Sequence, residues 1–206
     1  MKKTKGKLII IGGDMSLPSE ANGTETGNGG DMPETESAIV NKFCEMLKGD
    51  THRIEIIPTA SSVPEKSSRR YIDAFKHMGY ENVGVLNIQK REEARNGSFA
   101  KRVKEAEGFM FTGGNQLRLT TILGGTEFLN ILVERYQKEP VVIAGTSAGA
   151  MAMSDTMIYE GSSDEALKKG QVKFSSGFGL VKHVIIDTHF VKRGRIGRLF
   201  QAVASN

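Results

Sequence analysis

Tryptophan is absent from this sequence of 206 residues, and cysteine occurs only once, at Cys44. No indole is therefore available for stacking, and a single cysteine cannot form an internal disulfide. Cys44 falls on the apolar side of a predicted helix, where we expect a buried structural thiol. No apolar run approaches the ~18 residues of a membrane-spanning helix, and the basic residues 1–7 lead into a short apolar stretch. These absences predict a protein of the reducing cytoplasm that does not associate with a membrane.

Signals for a cofactor or a metal are also missing. The stretch Gly27-Asn28-Gly29-Gly30 lacks the third glycine of a dinucleotide-binding fingerprint and does not directly follow a strand. The sequence has no Gly-Lys-Ser/Thr of a phosphate-binding loop and no group of residues with metal-ligand spacing. We therefore expect neither a cofactor nor a metal ion.

Charge gives a weaker indication of partners. Lys and Arg number 28 against 24 Asp and Glu, and the pI of about 9.1 favours acidic partners. The basic residues are spread along the chain except near its end, so we do not expect binding to nucleic acid.

Short apolar runs and amphipathic stretches alternate along the chain, which predicts one α/β domain over residues 1–206. Strands are predicted at residues 7–11, 53–57, 83–86, 108–111, 141–144, 156–159 and 184–186, and helices at 36–48, 67–78, 98–106, 117–123 and 127–138. Residues 15–35 and 161–169 have the composition of loops. The alternation predicts a mostly parallel sheet with helices on both faces. Turns at Gly12, Thr59, Gly113 and Ser147 would then gather at the carboxyl edge of the sheet, where such folds bind ligands.

The sequence Gly145-Thr146-Ser147-Ala148-Gly149 follows an apolar, β-branched run and precedes helix-forming residues. This context predicts a strand, a sharp turn that exposes the Ser147 hydroxyl, and a helix. The backbone N–H of Ala148, at the helix start, would point to where an oxyanion could form. The alternative is a glycine-rich turn with an idle serine, but the flanking strand and helix favour a nucleophile.

A serine nucleophile needs a general base, and His189 is the best placed of four histidines. It follows the predicted strand 184–186 and would lie at the same edge of the sheet as Ser147. His52 and His77 occur at the ends of elements, and His183 lies at a strand start.

The carboxylate that would orient His189 is not identified by spacing. Glu160, Asp164, Glu165 and Asp187 are all near candidates. A second oxyanion donor is expected at Gly113-Gly114, because glycine allows the backbone to approach a substrate closely.

Three cations, Arg193, Arg195 and Arg198, follow His189 closely. Such a basic run is often the solvated face of a helix. Beside a catalytic edge, however, guanidinium groups bind carboxylates, which would imply an acidic substrate.

These motifs together closely resemble the cyanophycinase family of serine peptidases, relatives of the aspartyl dipeptidases. The similar segments are residues 111–119 (FTGGNQLRL), 145–150 (GTSAGA) and 187–190 (DTHF) with the arginines behind them. Residues 8–13 and 56–61 match the opening strands, so the resemblance spans nearly the whole chain. It implies a flavodoxin-like three-layer α/β/α sandwich, akin to class I glutamine amidotransferases and often dimeric. It also implies hydrolysis at the β-carboxyl linkage of aspartate.

Carried over by motif, the resemblance implies that Ser147 is the nucleophile, His189 the base and Glu165 the third member of a triad. Gly114 and Ala148 would form the oxyanion hole. The substrate cleft would be lined by Gln116, Asp187, Thr188, Arg193, Arg195 and Arg198.

Two departures from the family narrow the expected substrate. Thr188 stands where the family commonly has Gln, so we expect a small acidic β-aspartyl or isoaspartyl peptide rather than cyanophycin itself. The chain ends soon after Arg198, where family members continue with more strands. The expected function is that of a serine exopeptidase, and we expect a homodimer. The alternatives are an inactive binding homologue on the same fold and an esterase of the α/β-hydrolase type.

Overall fold

The computed structural model describes residues 4–13, 34–48, 52–95, 97–161 and 171–205. Most of the first predicted loop and most of the charged loop, with Asp164 and Glu165, lie outside these ranges.

Strands and helices alternate through most of the described chain. The strands are β1 (Lys7–Ile11), β2 (Ile54–Ile57), β3 (Val83–Val85), β4 (Gly108–Phe111), β5 (Val142–Thr146), β6 (Thr156–Glu160) and β7 (Lys173–Ser176). The helices are α1 (Glu34–Met46), α2 (Pro64–His77), α3 (Gly97–Glu105), α4 (Gln116–Leu123), α5 (Glu127–Lys138), α6 (Ala148–Met151) and α7 (Ile196–Ser205). Of the helices within the described ranges, none has the length and apolar character needed to cross a bilayer.

Five strands form one parallel sheet in the order β1-β5-β4-β2-β3. β5 lies between β1 and β4, and its last residue, Thr146, is level with Ile11 of β1. Because all five strands run the same way, the turns that follow them lie at one edge of the sheet. The parallel sheet predicted from the alternation is confirmed.

The sheet separates two hydrophobic cores. Successive residues of a strand point to opposite faces of the sheet, so each strand can contribute to both cores. On one face, Phe43 of α1 and Phe75 of α2 share a core with Met110 of β4. On the other face, Phe128 of α5 shares a core with Phe109 of β4, together with residues of α3, α4 and α6. This arrangement confirms the expected three-layer α/β/α sandwich.

The prediction of a strand at residues 184–186 is wrong. These residues are irregular, and β6 instead pairs with β7, which the sequence analysis did not predict. His183 and His189 both have positive φ angles, of 61° and 56°, so the chain turns on each side of the apolar run. Ile186 is buried and Ile185 packs against the same core, while Val184 is half-exposed, so the run contributes to the core without joining a ladder.

A buried ion pair attaches α7 to the rest of the domain. Arg198 Nε donates to Asp187 Oδ2 at 2.7 Å, its Nη2 pairs with Asp187 Oδ1, and its Nη1 donates to the Gly161 carbonyl at 3.3 Å. The side chains of Asp187 and Arg198 are only 1% and 4% exposed. Large apolar side chains on the outer side of α7 face solvent, namely Ile196, Phe200 and Val203. The buried ion pair and Ala202, which is fully buried in the main core, therefore attach this helix.

We predict that Arg198→Met lowers the free energy of unfolding by about 3–5 kcal/mol, because it leaves the buried Asp187 carboxylate without its main partner. Urea denaturation measures the loss. The exposed neighbour Lys192 supplies the control, since Lys192→Met should change stability by no more than about 0.5 kcal/mol. The double variant Asp187→Leu/Arg198→Met should recover part of the loss. A loss below 1 kcal/mol in the single variant would contradict this account.

Cys44 lies on the buried side of α1, in the same core as Phe43. Burial raises the pKa of its thiol to about 11, and a hydrogen bond with Tyr80 opposes the shift. The thiolate, which is the nucleophilic form, is therefore scarce near neutral pH. The structure gives Cys44 the character of a buried core residue, as expected from the helical pattern.

We predict that native Cys44 reacts with iodoacetamide at pH 8 about 100-fold more slowly than the same thiol in the urea-unfolded chain, because its pKa lies about two units above the reference of 9.0. Alkylation followed by mass spectrometry measures the rates. The native rate should rise about tenfold per pH unit between pH 8 and pH 10. Equal native and unfolded rates at pH 8 would show that the thiol is neither buried nor shifted.

Candidate active site

The turn between β5 and α6 holds Ser147 in a strained backbone conformation, with φ of 50° and ψ of −108°. A Cβ on Gly145 would lie 2.6 Å from the carbonyl carbon of Gly149, and one on Gly149 would lie 2.6 Å from the Phe111 carbonyl oxygen. Both positions therefore require glycine, as the motif predicted. The strand, turn and helix expected around Ser147 are all present.

The same turn brings Ser147 to His189, which lies 42 residues further along the chain. Ser147 Oγ is 2.8 Å from His189 Nε2, within hydrogen-bond distance. Each residue is fixed to the end of β1 through its backbone. The Ser147 N–H donates to the Ile11 carbonyl at 3.0 Å, and the His189 N–H donates to the Gly12 carbonyl at 2.7 Å. A hydroxyl and an imidazole at this distance can transfer a proton between them.

These two side chains open into a cavity of about 280 Å³. Its lining comes from four places along the carboxyl edge of the sheet, and consists of Ser67, Arg70, Tyr71, Gly113, Gly114, Ser147, His189 and Arg193. A larger cavity of about 580 Å³ lies between α4, α5 and β7. Its lining contains neither Ser147 nor any histidine, so the smaller cavity is the candidate active site.

The glycine turn after β4 forms one wall beside Ser147. A Cβ on Gly113 would lie 3.5 Å from Ser147 Cβ, which shows how near the turn comes. Gly114 has a φ of 141°, and a Cβ there would lie 2.0 Å from the Ala60 carbonyl oxygen. Asn115 closes the turn by donating its N–H to the same Ala60 carbonyl at 2.9 Å. The turn is thus held rigidly against the loop that follows β2.

Ala148, on the other side of Ser147, is the first residue of α6. The N–H groups of a helix's first turn have no acceptor within the helix. The Ala148 N–H therefore belongs to the kind of backbone donor that can meet a developing negative charge.

The three arginines after His189 occupy different positions. Arg193 is exposed and lines the cavity, while Arg195 and Arg198 are more buried and are not part of its lining. Arg195 Nη1 donates to the Thr188 carbonyl at 2.8 Å and lies 3.4 Å from Asp187 Oδ1. Burial, followed by the positive charge of Arg198, lowers the pKa of Arg195. The charge of Asp187 and its hydrogen bond with Arg195 oppose this lowering of the pKa.

The other residues expected in a substrate cleft make contacts within the protein. Gln116 Nε2 donates to the carbonyls of Ile158 and Tyr159 at 3.1 and 3.4 Å, so it holds β6. Asp187 accepts from Arg198 and from the Thr188 N–H. Thr188 is buried, and it is not part of the cavity lining. Their predicted contact with substrate therefore remains a prediction.

Among the four candidate acids, Asp164 and Glu165 lie outside the described residues. Glu160 is at the surface, where its Oε2 accepts from Lys173 Nζ at 2.9 Å. Asp187 is already engaged by Arg198 and Arg195. The geometry thus leaves the identity of the orienting acid as a prediction.

The sequence analysis missed the contribution of α2, which supplies Ser67, Arg70 and Tyr71 to the cavity. The order of elements in the sequence did indicate that these residues lie near the site. α2 follows the turn after β2, and the first turns of such a helix start at the carboxyl edge of the sheet.

Comparison with known proteins shows the family that this chain resembles. Residues 26–206 match the model of peptidase family S51. The chain is 40% identical over 203 residues to the cyanophycinase of Trichormus variabilis, covering 98% of this chain and 63% of that protein. It is 33% identical over 168 residues to the cyanophycinase of Synechococcus elongatus, covering 82% of this chain and 52% of that protein. The chain thus spans between about half and two-thirds of the length of these relatives.

Solved structures show the same fold. A crystal structure of a peptidase from an acI-B1 actinobacterium superposes with a TM-score of 0.70 at 25% identity, covering 98% of this chain and 76% of that one. A putative peptidase E from Listeria monocytogenes superposes with a TM-score of 0.50 at 18% identity, covering 80% and 81%, and supports the fold alone. With the family match extending over most of its length, this chain belongs to peptidase family S51.

Proposed function

We propose that this chain is a serine-type exopeptidase of the cyanophycinase kind, which hydrolyses β-aspartyl or isoaspartyl bonds in small acidic peptides. The main support is the 2.8 Å approach of Ser147 Oγ to His189 Nε2 in a cavity at the carboxyl edge of the sheet. The cavity's volume of about 280 Å³ suits a peptide of few residues. Its charged lining residues are Arg70 and Arg193, which favours an anionic substrate.

In the proposed reaction, Ser147 Oγ attacks the scissile carbonyl carbon while His189 Nε2 accepts the hydroxyl proton. The N–H groups of Ala148 and Gly114 stabilise the oxyanion that forms. His189 then donates the proton to the departing amine, leaving an acyl group on Ser147. A water molecule, activated by His189, hydrolyses that ester and restores the serine.

We assign Glu165 as the acid that orients His189. Support comes from the fixed start of the segment that contains it, because the Gly161 carbonyl accepts a hydrogen bond from Arg198. Arg198 pairs with Asp187, which lies two residues before His189. Glu165 is four residues beyond Gly161, a span of at most about 14 Å.

A homodimer is proposed from the family resemblance. Sedimentation equilibrium of the purified chain would show a mass near twice 22.5 kDa if it is right and near 22.5 kDa if it is wrong.

One prediction of the proposed function concerns the nucleophile. Ser147→Ala should lower kcat for β-aspartyl-arginine by about 10⁴–10⁶, because the serine and histidine act as a unit. A fluorophosphonate probe should label the wild-type chain at Ser147 and leave the variant unlabelled. Iodoacetamide should not inhibit the wild-type enzyme.

Two results would contradict the proposal in different ways. An unlabelled wild-type Ser147 would indicate a binding homologue without catalysis. Hydrolysis of short acyl esters without any peptide cleavage would indicate an esterase.

A further prediction concerns the orienting acid. Glu165→Gln should lower kcat by about 10⁴, because the amide no longer stabilises the imidazolium or fixes its tautomer. Glu160→Gln is the matched control, since Glu160 is paired with Lys173 at the surface, and its kcat should change less than about twofold. A large loss in Asp164→Asn with full activity in Glu165→Gln would transfer the role to Asp164.

A further inference from the structure

We propose that Arg70 of α2 binds the free α-carboxylate of the aspartyl residue whose β-carbonyl Ser147 attacks. This inference rests on the proposed function and adds a specificity-determining residue to it. Arg70 belongs to none of the motifs that carry the resemblance to the family. Its placement in the fold carries the argument.

Arg70 shares one face of α2 with two other cavity-lining residues. Ser67, Arg70 and Tyr71 are related by three and four positions, so they lie next to one another on the helix surface. Tyr71 is 5% exposed and belongs to the core between α2 and the sheet, which fixes the helix. Arg70, next to it, is half-buried at the cavity. Arg69 is exposed and does not line the cavity.

The strand order places Arg70 and His189 on opposite sides of Ser147. His189 is bound to the end of β1 through the Gly12 carbonyl, and Ser147 follows β5. Gly113 and Gly114 follow β4, and α2 follows β2 and packs against β2 and β3. Because the sheet order is β1-β5-β4-β2-β3, the lining runs from His189 through Ser147 and the glycine turn to α2.

The strand order places the two halves of the substrate, the acyl half and the departing amine, on opposite sides of Ser147. The departing amine must lie beside His189, because that imidazole gives it a proton. Arg193 donates its backbone N–H to the His189 carbonyl at 2.9 Å and therefore lies on this leaving-group side. The acyl half extends the other way, past the glycine turn, toward Arg70.

A β-aspartyl dipeptide has one carboxylate in each half. The aspartyl α-carboxylate lies in the acyl half, and the terminal carboxylate lies in the leaving half. The cavity supplies one arginine on each side and, in the described lining, no carboxylate. Guanidinium groups bind carboxylates through charge-assisted hydrogen bonds, so Arg70 selects the carboxylate that distinguishes a β-aspartyl bond from an ordinary side-chain amide.

The test compares three substrates with each variant. They are β-aspartyl-arginine, the same dipeptide with its aspartyl α-carboxylate converted to an amide, and the same dipeptide with a terminal amide. The readout is the ratio of kcat/KM between substrates within one variant, which does not depend on how much of that variant is folded. Arg69→Gln is the matched control, one residue away on the exposed surface of α2.

The wild-type enzyme should prefer the free acid over the acyl-side amide by about 10- to 100-fold, as expected for a charge-assisted hydrogen bond. Arg70→Gln should bring that ratio close to one and keep the wild-type discrimination against the terminal amide. Arg70→Lys should recover part of the preference, and Arg69→Gln should keep all of it.

Three outcomes would overturn the assignment. Arg70→Gln could keep the wild-type preference, it could lose activity equally on all three substrates, or it could lose discrimination only at the terminal amide. If the wild-type enzyme cleaves none of the three, the proposed function itself fails. If the wild-type enzyme cleaves them and Arg70→Gln keeps the wild-type kcat/KM ratios, the proposed function stands and this inference is wrong.

Discussion

Two consecutive carbonyl groups at the end of β1 position the candidate catalytic pair. The Ile11 carbonyl accepts from Ser147 and the Gly12 carbonyl accepts from His189, although these residues are 42 positions apart. β1 is itself fixed by its ladder with β5, in which Ile11 is level with Thr146. Thr146 adds a third link by donating its hydroxyl to the Gly13 carbonyl. The distance between hydroxyl and imidazole is thus set by backbone hydrogen bonds of the sheet, which preorganises the site.

This arrangement has a conformational cost that the surrounding structure must offset. Ser147 and His189 both have positive φ angles, of 50° and 56°, in a region that costs non-glycine residues about 1–3 kcal/mol each. The backbone hydrogen bonds to β1 stabilise both conformations. At Ser147, the close approach of Gly145 to Gly149 adds a packing constraint that admits no larger residue at either position. The strain is therefore local, and it occurs at the two residues whose side chains meet.

The sequence predicts those parts of the structure that depend on local patterns. The apolar run before Gly145 and the glycines at 145 and 149 indicate strand, turn and helix because close backbone contact leaves no alternative residue. Long-range pairing is less accessible to such patterns. Residues 184–186 have a strand-like composition, but turns at His183 and His189 keep them out of a ladder. The partner of Arg198 was equally hidden, because a sequence shows a cation without showing which carboxylate it reaches.

The arginines near His189 illustrate this last limit in physical terms. Arg198 and Arg193 are five residues apart, yet one is buried against Asp187 and the other lines the cavity. A buried guanidinium needs a carboxylate beside it, because desolvation would otherwise cost more than packing can return. An exposed guanidinium has no such requirement and can meet an anion that enters from solution. Burial therefore divides the basic run. Arg198 pairs with Asp187 and attaches α7, whereas Arg193 is exposed and lines the cavity.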